Sequence, residues 1–343
     1  PPAQPEDAEE PKDADQPEDD DQKNAEESEN DEEQKDADRQ ENTDRKESAE
    51  EPEDADRKES AGQQAQPQQA APAAAPVAST PVKYWKNTIT VINNFADKVL
   101  NLTLKDVKID VSNTGRENHA GKAALSVQGE GNVEIELDGN NELKSGWHRA
   151  GLEKNASEAE GTLTLKDDNK EAGSLTAKGG GSAAGIGGSY NGYHKNNGTK
   201  NIIITGGTVN ATGGQCGAGI GGGSDGGGKN ITISGGTVTA AGGNYGAGIG
   251  GGDYGSGEDI TINGGTVTAT GGFRGAGIGG GGDGGGGKNI TINRGTVNAT
   301  GGDEGAGIGG GHEGSGEHIT IKDGTVNAAG GSRGSGIGGG AQG

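Results

Sequence analysis

Six copies of a Gly-Ile-Gly-Gly element place isoleucines at Ile186, Ile220, Ile249, Ile278, Ile308 and Ile337, at intervals of 34, 29, 29, 30 and 29 residues. Each unit reads roughly Asn-Ile-Thr-Ile-x-Gly-Gly-Thr-Val-x-Ala-x-Gly-Gly-x-x-Gly-Ala-Gly-Ile-Gly-Gly-Gly, followed by a polar, Gly-rich turn. A fixed period of this length is the signature of stacked units, each touching only its neighbours. Within the unit starting at Asn230, residues 231–233, 237–240 and 247–249 are strand-like, which predicts three sheets per coil. Period-2 alternation turns Ile231, Ile233, Val238, Ala240, Ala247 and Ile249 inward. Stacking at the strand spacing of about 4.8 Å then makes ladders. Val209, Val238, Val267, Val297 and Val326 form one, and the isoleucines from Ile220 to Ile337 form another.

The composition fits no other economy. Aromatic residues are 3% of the chain and glycine accounts for 74 of 343 positions, too little bulk for an ordinary globular core. A single coil cannot offset its ordering cost of roughly 1.5 kcal/mol per residue. Its few aliphatic side chains contribute about 1.5–3 kcal/mol each when buried. Stability must therefore be collective. Upstream, residues 100–104, 107–111, 133–137 and 163–165 alternate apolar and polar, and Asp138-Gly139-Asn140-Asn141 and Lys166-Asp167-Asp168-Asn169 read as turns. No stretch carries a 3.6-residue apolar period of helical length. The fold class is all-β, a three-sided parallel β-helix or β-solenoid with coils of about 29 residues, preceded by a disordered acidic tail.

The charge is concentrated in that tail. The net charge is −23, and residues 1–60 hold 27 acidic and 8 basic side chains, −19 of the total. Such a run buries too little apolar surface to fold. The organisation expected is an acidic tail over 1–62, a Pro/Ala/Gln linker over 63–82, N-terminal β-helix coils and a cap over 83–180, and the Gly-rich solenoid over 181–343, with order beginning near Tyr84 and Trp85. A net negative chain excludes nucleic acid as a phosphate-bound partner. No run approaches the roughly 20 apolar residues of a membrane span. Cys216 is the single cysteine, so no intrachain disulfide forms and the compartment stays open. The chain starts at Pro1 without Met or an apolar leader, which suggests a removed signal peptide or an excised piece. It stops just after a Gly-Ile-Gly-Gly element without an altered repeat, so the expectation is a natural protein continuing past residue 343, part of a longer surface protein, or an end that docks on something.

Function has to sit where the repeat varies. One set of pairs precedes Gly-Ala-Gly-Ile: Gln215/Cys216, Asn244/Tyr245, Phe273/Arg274, Asp303/Glu304 and Ser332/Arg333. A second follows the Gly triplet: Ser224/Asp225, Asp253/Tyr254, Asp283 and His312/Glu313. Both fall at corners, which predicts two polar-aromatic edges. Aromatic faces cover sugar rings while carboxylates and amides hold hydroxyls, so Tyr245, Tyr254, Phe273 and Arg274 are candidate glycan-binding residues. Tyr190 and Tyr193 in the long unit, and Trp147 beside His148 and Arg149, extend that character. The bland alternative is drift at solvated loops, or for Trp147 the packing of a cap.

No cofactor is signalled except calcium. Gly222-Gly-Ser-Asp225 and Gly280-Gly-Gly-Asp283 resemble the Gly/Asp turns of calcium-loaded β-rolls without their nonapeptide period, making Asp225, Asp253 and Asp283 the candidate ligands. Outward Thr-x-Thr or Thr-x-Asn rows, such as Thr237/Thr239 and Thr296/Asn298, admit an ice-binding face, although Thr is favoured on any exposed strand. Catalytic residues are not indicated. No acidic pair recurs, the five histidines are scattered, and the Gly runs lack the Lys-Ser/Thr of a phosphate loop.

The repeat unit resembles Gly-rich β-solenoid repeats of secreted or wall-attached bacterial proteins. The stretch Val133-Glu-Ile-Glu-Leu-Asp-Gly-Asn-Asn-Glu-Leu-Lys-Ser-Gly146 is similar to strand-turn units of clostridial carbohydrate-binding β-helices. Those are right-handed parallel β-helices shaped like pectate lyases, some of which bind calcium and plant polysaccharides. The matching residues are scaffold, and no binding residue carries over. The resemblance implies a secreted or cell-surface bacterial location and a non-catalytic binding or adhesion module for a glycan or host-surface ligand. The competing readings are a structural stalk or spacer, a polysaccharide-active β-helix enzyme and an ice-binding protein.

Overall fold

The computed structural model describes residues 82–116, 119–192 and 197–343. The chain divides into two units, residues 1–75 and 76–343, and all described residues belong to the second. The acidic segment 1–62 and the linker up to residue 81 lie outside the described residues.

The second unit is a parallel β-solenoid with three faces. The first face stacks Val99–Lys105, the front half of Asn132–Lys144, Leu163–Lys166, Thr199–Ile204, Gly228–Ile233 and Gly257–Ile262, then two broken strands. On the second face Lys108–Asp110, the rear half of Asn132–Lys144, Gly173–Lys178, Thr208–Thr212, Thr237–Ala241, Thr266–Thr270, Thr296–Thr300 and Thr325–Ala329 succeed one another. Among the described residues the third face has nine strands, beginning with Ile89–Ile92 and Leu125–Gln128 and shrinking to Ile-Gly pairs from Ile186–Gly187 onward. Pairing passes without interruption from the N-terminal coils into the Gly-rich ones, Ile202 beside Leu163 and Ile186 beside Leu152.

The ladders follow the expected register. Val209, Val238, Val267, Val297 and Val326 are successive partners, as are Ile220, Ile249, Ile278, Ile308 and Ile337. The six side chains expected inward in the coil from Asn230 are all buried. Thr237 and Thr239 point outward, and Asn327 Nδ2 donates to Asn298 Oδ1 at 2.8 Å along the same row.

Two local features differ from the sequence reading. Asp138 to Asn141 is not a turn ending a strand but a bend inside one, since Gly139–Lys144 pairs on with Gly173–Lys178 while Val133–Glu136 pairs with Leu163–Lys166. Gly139 takes the left-handed conformation at the bend, φ 60°. The buried Asn141 amide holds the corner. It donates to the carbonyls of Leu104, Asp138 and Ser174 at 3.0–3.2 Å and accepts from the Val107 N–H at 2.9 Å. Second, the Asn that opens each repeat is itself a kink. Asn201, Asn230, Asp259, Asn289 and His318 all have φ of 52–59°. Asn and Asp tolerate that region because a short polar side chain bonds locally. Here the amides also bond between coils, Asn230 Nδ2 to Asn201 Oδ1 at 2.7 Å and Asn289 Nδ2 to Asp259 Oδ1 at 2.9 Å.

Glycine is demanded most strictly on the third face. At Gly250, φ is +133°, and a Cβ there would lie 2.0 Å from the Gly279 carbonyl oxygen of the next coil. Backbone meets backbone, so no side-chain adjustment relieves the clash. Gly250→Ala is expected to cost roughly 2–4 kcal/mol. Gly284→Asn, at φ +91° where a Cβ meets nothing within 4 Å, carries backbone strain without a clash and should cost only about 1 kcal/mol. Denaturant unfolding of the two variants checks the contrast, and equal losses would remove the close-contact explanation.

Candidate ligand-binding edge

The short third face decides the geometry. In each Gly-rich coil it is only Ile-Gly, and the chain folds back around it, the Ala247 N–H donating to the Gly251 carbonyl at 2.9 Å. The corner before this face and the corner after it are thereby brought side by side. The N–H of Asp253 donates to the Cys216 carbonyl at 2.8 Å, that of Gly282 to Tyr245 at 2.6 Å, and that of His312 to Arg274 at 2.9 Å. The two sets of variable pairs therefore lie along one edge, not two. Two edges would require a third side as long as the others.

The same bonding extends the edge upstream. Ser224 N–H donates to Ser182 and Tyr190 N–H to His148, at 2.8 and 3.0 Å. One row along the edge is thus His148, Ser182, Cys216, Tyr245, Arg274, Glu304 and Arg333. The facing row is Tyr190, Ser224, Asp253, Gly282, His312 and Ala341. Coils of 34 residues account for the first steps of the first row, and the 34-residue interval between Ile186 and Ile220 was the signal that could have found them.

At the upstream end the rings cluster. Trp147 and His148 have centroids 5.3 Å apart, and His148 and Tyr190 4.8 Å, both tilted. They form one wall of a groove of about 750 Å³, continued by Gln215, Cys216, Ser224, Asp253 and Tyr254. The candidates Trp147, Tyr190 and Tyr254 are thus brought together, with Tyr254 61% exposed as a ridge. Tyr245 and Arg274 lie farther along the edge, the guanidinium 5.6 Å from the ring centroid. Phe273 is exposed in the outer member of its pair. Tyr193 lies outside the described residues.

The downstream part of the edge is a charge network. Arg274 donates to both Asp283 oxygens at 2.7 and 3.0 Å and to Glu304 Oε2 at 3.1 Å. Arg333 pairs with Glu304 from the next coil, and His312 Nδ1 is 3.1 Å from Asp283 Oδ1. The Asp283 contacts both come from Nη1 and the Glu304 contact from Nε, so one guanidinium bridges two carboxylates.

Asp253 is the exception among these acids. It is 8% exposed, and its Oδ1 is buried without a hydrogen-bond partner. The position beside that oxygen is Gly282, where even a Cβ would come within 3.3 Å of it. Burial pushes the carboxyl up to about 6, and the charges of Asp283 and Asp225 add to the effect. Burial likewise pushes the Cys216 thiol up to about 11, with Asp253 contributing. As calcium ligands the three aspartates do not form one register row. Asp225 and Asp283 hold the left-handed position of their turns, φ 58° and 52°, and Asp253 the position before it. No group of three or more His, Cys, Asp or Glu among the described residues is arranged to hold a metal ion.

A raised carboxyl has a defined linkage. The folded chain holds the Asp253 proton more tightly than the unfolded chain, so the penalty is absent below the ordinary carboxylate range and fully present above about pH 6. Asp253→Asn should therefore be more stable than the parent at pH 8, on the order of 1–3 kcal/mol, and nearly equal at pH 4. Thermal unfolding at the two pH values tests this, and a variant destabilised at pH 8 would contradict it.

A family model described as Beta helix repeat matches residues 202–224, 231–253, 260–282, 290–312 and 319–341. Each match runs from the first inward isoleucine of a coil to the second row of the edge. No curated protein and no solved structure matches the chain. No helix among the described residues is long and apolar enough to cross a membrane. The five matched units and the three-faced parallel stack make this chain a β-helix repeat protein.

Proposed function

We propose that the protein is a non-catalytic glycan-binding or adhesion module, displayed outside a bacterial cell, that binds through the upstream end of the variable edge. The observation that carries this reading is the groove that Trp147, His148, Tyr190 and Tyr254 line together with polar side chains from successive coils. Aromatic faces cover the apolar face of a sugar ring, while Gln215, Ser224 and Asp253 supply hydrogen-bonding groups for hydroxyls. Sites that mix a few rigid rings with convergent polar groups are suited to orienting a ligand. The repeat supports elongated ligands in particular, because the edge continues past the groove for several coils.

A structural spacer is the second reading, favoured by the Arg274–Asp283–Glu304–Arg333 network, which ties coils together on the same edge. A glycan array of plant, mucin and microbial oligosaccharides, run with calcium and with chelator, separates the two. Binding to at least one class is expected, weakened about threefold to tenfold by Trp147→Ala and by Tyr254→Ala. Calcium-dependent binding would bring Asp225, Asp253 and Asp283 into the site as ion ligands. No binding on any array would leave the spacer, and shortened oligosaccharide products would replace the binding reading with an enzymatic one.

A further inference from the structure

Asp253 stands apart in the groove, and its surroundings narrow the ligand. Its carboxyl lines the groove and is more than nine-tenths buried, yet one oxygen has no hydrogen-bond partner. An ionised carboxylate in that condition is costly unless a donor or a cation meets it. The nearest basic group, Arg274, is held by both oxygens of Asp283 and by Glu304. Asp225, on the preceding coil, adds negative charge, and its Oδ2 accepts from the Ser224 hydroxyl at 3.5 Å. The same groove is lined upstream by rings, Trp147, His148 and Tyr190. A carboxylate with one unmet oxygen and aromatic faces in the same groove are the two environments that attract an organic ammonium.

We propose that the groove selects glycans carrying a free, protonated amine, that is, amino sugars without N-acylation, with the ammonium beside Asp253 and the ring against the aromatic wall. This rests on the glycan-binding reading and sharpens it. An acyl group on the nitrogen removes the charge and adds bulk. A uronate or sulfate brings a second anion toward Asp225 and Asp253. The edge should therefore discriminate by charge at a single substituent, not by ring stereochemistry alone.

Isothermal titration of the full chain with glucosamine, N-acetylglucosamine and glucose tetramers tests this at pH 6.5 and fixed salt. The parent should bind the glucosamine tetramer about tenfold or more tighter than either of the others. Asp253→Asn, which preserves shape and removes the charge, should collapse that ratio to within about twofold. Equal affinities in the parent, or a preference for the acetylated tetramer, would overturn the amine assignment while leaving glycan binding standing. An undiminished ratio in Asp253→Asn would also overturn it. Absence of binding by all three, together with a silent array, would remove both readings.

Discussion

Successive coils meet along the third face through bare backbone, and everything else in the solenoid accommodates that contact. Gly221, Gly250, Gly279 and Gly309 each lie so close to the following coil that a Cβ would fall 1.8–2.0 Å from its carbonyl oxygen. Such proximity shortens the third side to two residues per coil and makes the chain fold back around its isoleucine. The isoleucine then supplies nearly all the apolar burial on that side, while the other two faces contribute paired Ile and Val-x-Ala rows. Burial per coil is small, so the free energy comes from repetition.

The same contact places the variable residues. Because the third side is short, its two flanking corners touch, and residues that are 37 to 42 positions apart, such as Tyr190 and His148, become neighbours through direct backbone hydrogen bonds. Each coil adds one residue to each row, giving a surface whose chemistry changes in steps of one strand spacing. Upstream it is aromatic and polar; downstream it is a chain of Arg–carboxylate pairs. Asp253 lies at the junction, where its negative neighbours are not fully matched by Arg274. A spacer has no need of an unmatched acid at such a position, which is why the groove and not the network carries the functional reading.

Burial of charge also occurs away from the edge, with a different outcome. Lys154 is almost fully enclosed and donates to the carbonyls of Ala159 and Lys200 at 3.0 and 2.8 Å, and burial pushes its ammonium down to about 8. It fastens the irregular segment between the third and first faces that runs from residue 154 to 162. Here the charge is answered by backbone dipoles. At Asp253 the Tyr254 backbone N–H answers it only in part, and Oδ1 has no partner.

From the sequence by itself, period and alternation determined the three-faced coil, the inward ladders and the positions free to vary. These are local properties, since a two-residue alternation and a 29-residue recurrence leave no other way to bury so few aliphatic side chains. The kink at each opening Asn was equally present, in a residue type that tolerates left-handed backbone, but periodicity alone did not distinguish it from a turn residue. Asp138 to Asn141 misled for a related reason: turn-forming residues also serve as bends when a buried amide such as Asn141 satisfies the freed backbone groups. Only the tertiary structure decided that the two variable corners are one edge, that Trp147 and Tyr190 share a groove with Tyr254, and that Asp253 is unmatched while Asp283 is paired. Those outcomes depend on how closely neighbouring coils approach, and that distance is set by contacts between residues about 30 positions apart.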